Sequence, residues 1–236
     1  VPNGSLTREE HQAYIDAVLA ILNRYNLQPM GWEEIGHFCP PETRAICYSW
    51  HNEKKSAELA EAGYQVVLAA ATHLYFDFAY CKHHEEKGLD WGGFTNEYSA
   101  FDWEPLQHEN VVGMNAQLWA EVIRSFSQVE WQIYPKVFGL CERAWNNRSE
   151  LTLQEYNRLV YHYGLPDLHA GNHNFHLQQP GIHVDSTMTV TMNHVTDRSK
   201  ILYTLDDKEW KEYTQPFAVD SAATSIIKAK VQYLDH

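Results

Sequence analysis

The chain has 236 residues, 44% of them hydrophobic and 13% aromatic, enough to bury a full-sized core with room for a small second domain. No stretch approaches the roughly 20 uninterrupted apolar residues of a membrane span, and the opening VPNGSLTREE has no basic-then-apolar signal pattern, so the chain is expected to be soluble or already processed. Net charge is −13 and the 18 Lys and Arg never cluster, which argues against a nucleic-acid partner because phosphate binding needs a basic footprint.

Thr7-Arg8-Glu9-Glu10 fits a capping box, and Tyr14, Val18, Ile21, Leu22 and Tyr25 follow at spacings that share one stripe, predicting an amphipathic helix. Asn26 leads into LQPMGW, a short predicted strand, after which Pro40 and Pro41 forbid a continued helix. AICYSW (45–50) reads as a second buried strand, NEKKSAELAEAG as a charged helix closed by Gly63, and QVVLAAAT as a third strand. A long loop rich in aromatics and Gly precedes NVVGMNAQLW (110–119), a fourth strand running into the helical stretch AEVIRSFSQVEWQIYPKVFGLCERAW. LTLQEYNRLVYHYGL (151–165) is a further helix.

Strands apolar on both faces and separated by helices indicate parallel βα units in an α/β fold. Four such units fit either an open doubly wound sheet or half of a (β/α)8 barrel. After PDLHAGNHNFHLQQPG the texture changes. GIHVDSTMTVTMNHV, SKILYTLDD and SAATSIIKAKVQYL alternate polar with apolar residues, the pattern of a small antiparallel β-sandwich. The domain boundary is therefore expected near residue 172, with 1–171 as the α/β part and 172–236 as an immunoglobulin-like sandwich.

Cys39, Cys47, Cys81 and Cys141 lack C-x-x-C spacing and read as buried reduced thiols, though an even count also permits disulfides in an oxidising compartment. His83-His84-Glu85-Glu86 and His169, His173, His176 carry metal-capable side chains, but in loops these read as solvated polar stretches, and no metal is expected. Asn3-Gly4-Ser5 and Asn147-Arg148-Ser149 are glycosylation sequons that matter only in a eukaryotic secretory setting.

In ligand-binding parallel sheets the functional groups sit at the carboxyl ends of the strands. Here those ends carry Gly31-Trp32-Glu33-Glu34, then Trp50, then Tyr75-x-Asp77, then Trp119-x-Glu121. Indole faces pack on the C–H surfaces of sugars, and carboxylates accept from hydroxyls, so the set suits a neutral carbohydrate. Taken singly, each Trp is equally well explained by rim packing, Asp77 by a helix cap, and Glu33 or Glu34 by a solvated turn. Recurrence at successive strand ends favours a shared ligand pocket.

GWEEI (31–35), the strand-ending Trp50, HLYFDFAY (73–80), GLDWGGF (88–94) and GMNAQLWAEVI (113–123), followed by YPKVFGLCERAW, resemble the second half of the catalytic barrel of glycoside hydrolase family 20. The likeness runs from about residue 5 to 165 in consistent order, and the tail resembles the small sandwich that often follows this barrel in bacterial members. It implies the fifth to eighth strands of a (β/α)8 barrel and a retaining β-N-acetylhexosaminidase acting on terminal N-acetylglucosamine or N-acetylgalactosamine of glycans. In that family the substrate's own 2-acetamido oxygen is the nucleophile, an exception to the two-carboxylate scheme. Carried over, Tyr75 would hold that oxygen in line, and Trp32, Trp50 and Trp119 would box in the acetamide methyl. Asp77 and Glu121 would accept from the O4 and O6 hydroxyls, and Trp91 would stack on the next sugar. The resemblance implies no cofactor, and a bacterial periplasmic or secreted parent enzyme.

The family's acid/base, a Glu directly preceded by Asp in H-x-G-x-D-E, has no counterpart here, nor does its hydroxyl-gripping Arg from the first strand. Glu9-Glu10 and Glu33-Glu34 are not plausible substitutes. Without a proton donor the reaction loses roughly the 10² to 10⁴ attributed to general acid catalysis, so the chain alone is expected to be inactive. Half a barrel also exposes two sheet edges, which calls for the other half or a second copy of the chain as partner. A non-catalytic carbohydrate-binding module and a purely structural remnant are the competing readings.

Overall fold

The structure, a computed structural model, describes residues 7–146, 149–220, 222, 224 and 226–233. The sequon residues Asn3 and Asn147 lie outside them. Two compact units divide the chain between Ser149 and Glu150, so the helices of residues 150–170 group with the antiparallel sheets.

In the first unit, α1 (Arg8–Arg24) starts at the expected capping box: the Thr7 hydroxyl accepts from the Glu10 amide at 3.2 Å and the Glu10 carboxylate accepts from the Thr7 amide at 2.8 Å. The packed face keeps Val18 and Leu22 of the stripe drawn from the sequence, both partly buried, but not Tyr14, Ile21 or Tyr25. Gln12 donates to the Phe38 carbonyl at 3.0 Å and the His11 ring lies 4.0 Å from Phe38, while Tyr14, Ile21 and Tyr25 point outward and no residue of the helix is fully buried. The helix docks through its polar neighbours at positions 11 and 12, turning Tyr14, Ile21 and Tyr25 away.

Four parallel strands, β1 (Met30–Trp32), β2 (Ile46–Ser49), β3 (Gln65–Leu68) and β4 (Val111–Met114), lie side by side in chain order. The register pairs Trp32 with Tyr48, Ser49 with Leu68 and Leu68 with Met114, so the carboxyl ends of all four finish on one edge of the sheet. Between β2 and β3 runs α2 (Glu53–Glu61), capped by Asn52 accepting from the Lys55 amide and stopped at Gly63, whose φ of +94° a side chain would resist. Cys47, Leu59, Ala60, Val66, Leu68 and Trp103 are among the residues that close the core against this sheet.

The strands are shorter than the apolar runs that predicted them. The third ends at Leu68, where the Ala69 amide turns to the Ser49 carbonyl, and α3 (Ala71–Leu74) takes up the rest of the alanine-rich run, as strong helix formers favour. The fourth ends at Met114, leaving Trp119 on a loop. The predicted single helix over 120–145 is two: α4 (Phe126–Ile133), capped by Ser125, and α5 (Lys136–Trp145). Pro135 supplies no amide hydrogen and holds Tyr134 extended at φ −97°, ψ 129°, which breaks the run.

The second unit opens with α6 (Leu153–Leu159) on a Thr152/Glu155 capping box, and one π turn over Val160–Gly164 carries it into α7 (Leu165–Ala170). The predicted antiparallel strands follow as β5 (Gly181–Val184), β6 (Thr189–Asn193), β7 (Ser199–Thr204), β8 (Lys211–Glu212), β9 (Phe217–Ala218) and β10 (Lys228–Tyr233). They form two three-stranded sheets, β5-β6-β9 and β10-β7-β8, around Val190, Met192, Ile201 and Val219. Of the four free thiols, Cys39 and Cys47 are buried as expected, whereas Cys81 and Cys141 are exposed, one on the loop after Tyr80 and one on the open side of α5.

One glycine shapes the loop that follows Tyr80. Gly88 has φ +138°, and a Cβ there would lie 2.4 Å from the Ala79 nitrogen. Beside it the Leu89 amide donates to the Asp77 carbonyl at 2.8 Å and the Ala79 amide to the Leu89 carbonyl at 2.9 Å. Gly88→Ala is expected to cost about 2 kcal/mol or more, from strain plus the forced separation of these strands of chain, read as a lowered midpoint in chemical denaturation.

A candidate ligand-binding rim

The carboxyl edge of the sheet gathers the aromatic residues singled out above. Trp32 ends β1 and its ring centroid lies 5.8 Å from that of Trp119. Trp119 reaches this place because the loop after β4 bridges the turn after α3: the Phe76 amide donates to the Gln117 carbonyl at 2.8 Å and the Gln117 amide to Leu74 at 2.9 Å. Trp119 is then 6.2 Å from Tyr75, Tyr75 is 6.3 Å from Trp91, and Trp91 is 6.4 Å from Trp50, with interplanar angles of 64° to 78°. Five rings, from the ends of β1 and β2, the turn after α3, the loop after β4 and the long loop between them, thus form a continuous, mostly edge-to-face wall. Trp91 is 60% exposed and Trp119 39%, while Tyr75 is buried at 5%.

Burial pushes the Tyr75 phenol above its ordinary value, and Asp77, Glu33 and Glu34 add to the rise, against the Trp119 side chain, whose hydrogen bond pulls it down. The hydroxyl therefore keeps its proton at neutral pH and is a donor. Asp77 is 0% exposed, and neither carboxylate oxygen has a hydrogen-bond partner of good geometry. Burial raises its pKa, and Glu121 raises it further; its own amide, the Trp119 amide and Lys136 favour the ionised form without reversing the direction. Glu121 is exposed on the loop beyond Trp119 and reaches Asp77 through its charge.

Two further buried residues take roles that the sequence reading does not anticipate. Glu33, expected on a solvated turn, is 5% exposed and ties β1 to β2: one carboxylate oxygen accepts from the Ser49 hydroxyl at 3.1 Å, the Trp50 amide at 3.1 Å and the His51 amide at 3.3 Å. Burial suits it because the end of β2 presents donors that need an acceptor. Its neighbour Glu34 accepts from the Trp50 indole at 3.2 Å, so the Glu-Glu pair orients that ring. The second is Lys136, 1% exposed at the start of α5, whose ammonium donates to the Phe76 and Phe78 carbonyls at 2.8 and 2.7 Å. A lysine directly after the helix-breaking proline, at the head of an otherwise apolar turn, was the one available hint of it.

Among the described residues no three His, Cys, Asp or Glu side chains come together as a metal site, and His83-His84-Glu85-Glu86 and His169, His173, His176 do not assemble as ligand sets. No helix among them is long and apolar enough to cross a membrane. A hollow of about 770 Å³ in the second unit, bordered by Glu155, Arg158 and His162, involves none of the wall residues.

The wall thus offers apolar ring faces, a protonated phenol and a buried carboxylate lacking a donor, a set that suits a hydroxylated ligand with an apolar face. Residues 3–148 match the catalytic domain of glycosyl hydrolase family 20. A β-hexosaminidase of Vibrio furnissii is 30% identical over 119 residues, 47% of this chain and 20% of the relative. A β-hexosaminidase of Porphyromonas gingivalis is 26% identical over 97% of this chain and 31% of its own length. The fold is similar to that of a GH20 exo β-N-acetylglucosaminidase from Vibrio harveyi solved with N-acetylglucosamine, with a TM-score of 0.67 at 23% identity over 72% of this chain and 28% of that one. The chain belongs to glycosyl hydrolase family 20. It spans about a fifth to a third of the length of the two curated relatives.

Two outcomes follow from the buried carboxylates. Glu33→Ala strands the Trp50 and His51 amides and is expected to cost about 2–3 kcal/mol of stability, with a change in tryptophan emission as the Trp50 ring is released. Asp77, its pKa raised on folding, holds in the native state a proton that the unfolded chain has already lost. Stability therefore falls as pH rises from the ordinary carboxylate value through the raised one. Thermal melts from pH 3.5 to 6.5 should show that component in the wild type and not in Asp77→Asn.

Proposed function

We propose that the chain forms the sugar-binding side of a retaining exo-β-N-acetylhexosaminidase, contributing the fifth to eighth strands of a (β/α)8 barrel followed by an immunoglobulin-like sandwich from about residue 172. The observation that carries this reading is Tyr75, a buried phenol flanked by Trp119 and Trp91, two residues before a buried carboxylate, Asp77, with unfilled acceptors. The names of the relatives, hexosaminidases and an N,N'-diacetylchitobiase of Vibrio harveyi, support N-acetylhexosamine glycans as the ligand class.

In this reading the Tyr75 hydroxyl donates to the substrate's acetamide oxygen and aligns its lone pair with the anomeric carbon, a positioning effect. The acetamide oxygen attacks, the C1–O bond to the leaving group breaks, and a proton must reach the departing oxygen. Trp32, Trp50 and Trp119 enclose the acetamide methyl and keep stray water from the cyclic intermediate. Asp77 and Glu121 accept from the O4 and O6 hydroxyls, and Trp91 stacks on the following sugar. No cofactor or metal enters the scheme.

The proton for the leaving group has no donor in this sequence, which contains no Asp-Glu pair. The chain by itself therefore binds without turnover, and activity requires the residues of the other barrel half, from a longer parent enzyme working in the bacterial periplasm or outside the cell. The same absence favours a non-catalytic carbohydrate-binding role as the second reading.

Titration calorimetry with N-acetylglucosamine is expected to show millimolar or tighter binding, at least about tenfold stronger than glucose because only the former fills the indole box. Tyr75→Phe weakens it severalfold, and a chromogenic N-acetylglucosaminide is not hydrolysed. Equal affinity for glucose would overturn the acetamide assignment, and turnover by the chain alone would overturn the missing-acid account.

A further inference from the structure

Behind the aromatic wall lies a second layer that the proposed chemistry does not use. The Lys136 ammonium is enclosed by the Phe76 and Phe78 carbonyls, the Gln132 amide oxygen at 3.3 Å and the Tyr80 ring at 4.0 Å from its centroid. Those carbonyls flank Asp77 in the chain, and the three oxygens match the three hydrogens of an ammonium. Gln132 in turn donates to the Lys87 carbonyl at 3.0 Å, and the Tyr80 hydroxyl lies within reach of the Trp131 and Tyr134 carbonyls, so the lysine is held from α4 as well as α5. Burying an ammonium costs far more than burying an amide, and such a group persists where the surroundings are built for it.

We propose that Lys136 is a positioning residue that clamps the Tyr75–Phe78 turn by its carbonyls, fixing the backbone on either side of Asp77 and supplying the positive charge that lets its carboxylate meet a ligand hydroxyl. Among the described residues, Lys136 is the cation whose charge favours the ionised form of that carboxylate. The charged and titratable groups around the ammonium are Asp77 from the clamped turn, Tyr80 two residues beyond it, Glu86 from the loop that follows and Glu97 from the segment beyond Thr95. Burial lowers the Lys136 pKa to about 7, with Asp77, Glu97 and Glu86 resisting the fall. The neutral amine has two hydrogens for three acceptors, so the clamp loosens as pH rises through that value. The part of this inference that concerns a ligand rests on the N-acetylhexosamine reading; the clamp itself does not.

The test uses the full chain with lysines carrying ¹³C at Cε, followed by NMR from pH 5.5 to 9, the Lys136 signal being assigned by its loss in Lys136→Met or, if that variant fails to fold, in Lys136→Arg. The Lys136 signal should titrate near pH 7 while ordinary lysines stay charged to about 10, and the backbone amides of Phe76, Asp77 and Phe78 should move with the same midpoint. Flat amides, or a Lys136 that titrates with the other lysines, would overturn the clamp. In calorimetry at pH 6, Lys136→Met should bind N-acetylglucosamine about tenfold more weakly than wild type. Wild-type affinity should fall across the Lys136 midpoint, while Lys136→Arg, charged throughout, should lose that step. Unchanged affinity in Lys136→Met would overturn the ligand role. A wild type that binds no sugar at any pH would sink the proposed function instead, with the amide titration still deciding the clamp.

Discussion

Backbone groups that end up beneath a wall of aromatic rings must find partners there, because water cannot reach them and each orphan costs on the order of 1–3 kcal/mol. The carboxyl edge of this sheet meets the requirement with side chains. Glu33 accepts the amides of Trp50 and His51 at the end of β2. Thr95 donates to the Tyr75 carbonyl at 2.6 Å, and Lys136 takes the next carbonyls on either side of Asp77. Each of these side chains comes from a different segment from the backbone it satisfies, so the rim is stitched together by its own hydrogen-bond accounting. Which way Trp50, Tyr75 and Asp77 face is decided by that stitching more than by the strands themselves.

The parallel sheet and the aromatic wall were legible because both repeat. Apolar runs recurred between helices, and Trp or Tyr recurred at the ends of those runs, so an error at one position was outvoted by the others. Glu33 and Lys136 were not legible for the opposite reason. A charged residue is buried only when particular distant groups require it, and neither the Ser49–His51 donors nor the Phe76 and Phe78 carbonyls can be inferred from residues adjacent in the chain. Similar causes lie behind the smaller differences between sequence pattern and structure. The apolar stripe of α1 was correctly helical, yet its docking was decided by His11 and Gln12 against Phe38. Pro135 lies within the run 120–145 read as one helical stretch, and the break it imposes divides that stretch into α4 and α5. Cys81 and Cys141 followed the usual preference of thiols for the interior only in expectation, since their segments lie on the outside.

Asp77 and Lys136 together show how the interior tolerates charge. The carboxyl pKa is raised and the ammonium pKa lowered, both chiefly by burial, so each group is held in its less comfortable state by the other and by neighbouring dipoles. An apolar pair of similar volume would pack there with less conflict. Local frustration of this kind concentrates where a protein must present polar atoms to something it binds, and the unfilled acceptors of Asp77 mark the side from which relief would come.

The Trp91 loop carries a kinetic implication. Gly88 presses against the Ala79 backbone, and a Cβ on Gly92 would lie 2.7 Å from the Phe78 ring, while that same ring sits 5.1 Å from Trp91. An indole more than half open to solvent is thereby seated on a backbone with almost no slack. A flat molecule alighting on it finds its platform already assembled, so little freedom remains to be surrendered on capture, and residence time rather than rearrangement would govern how tightly the two stay joined.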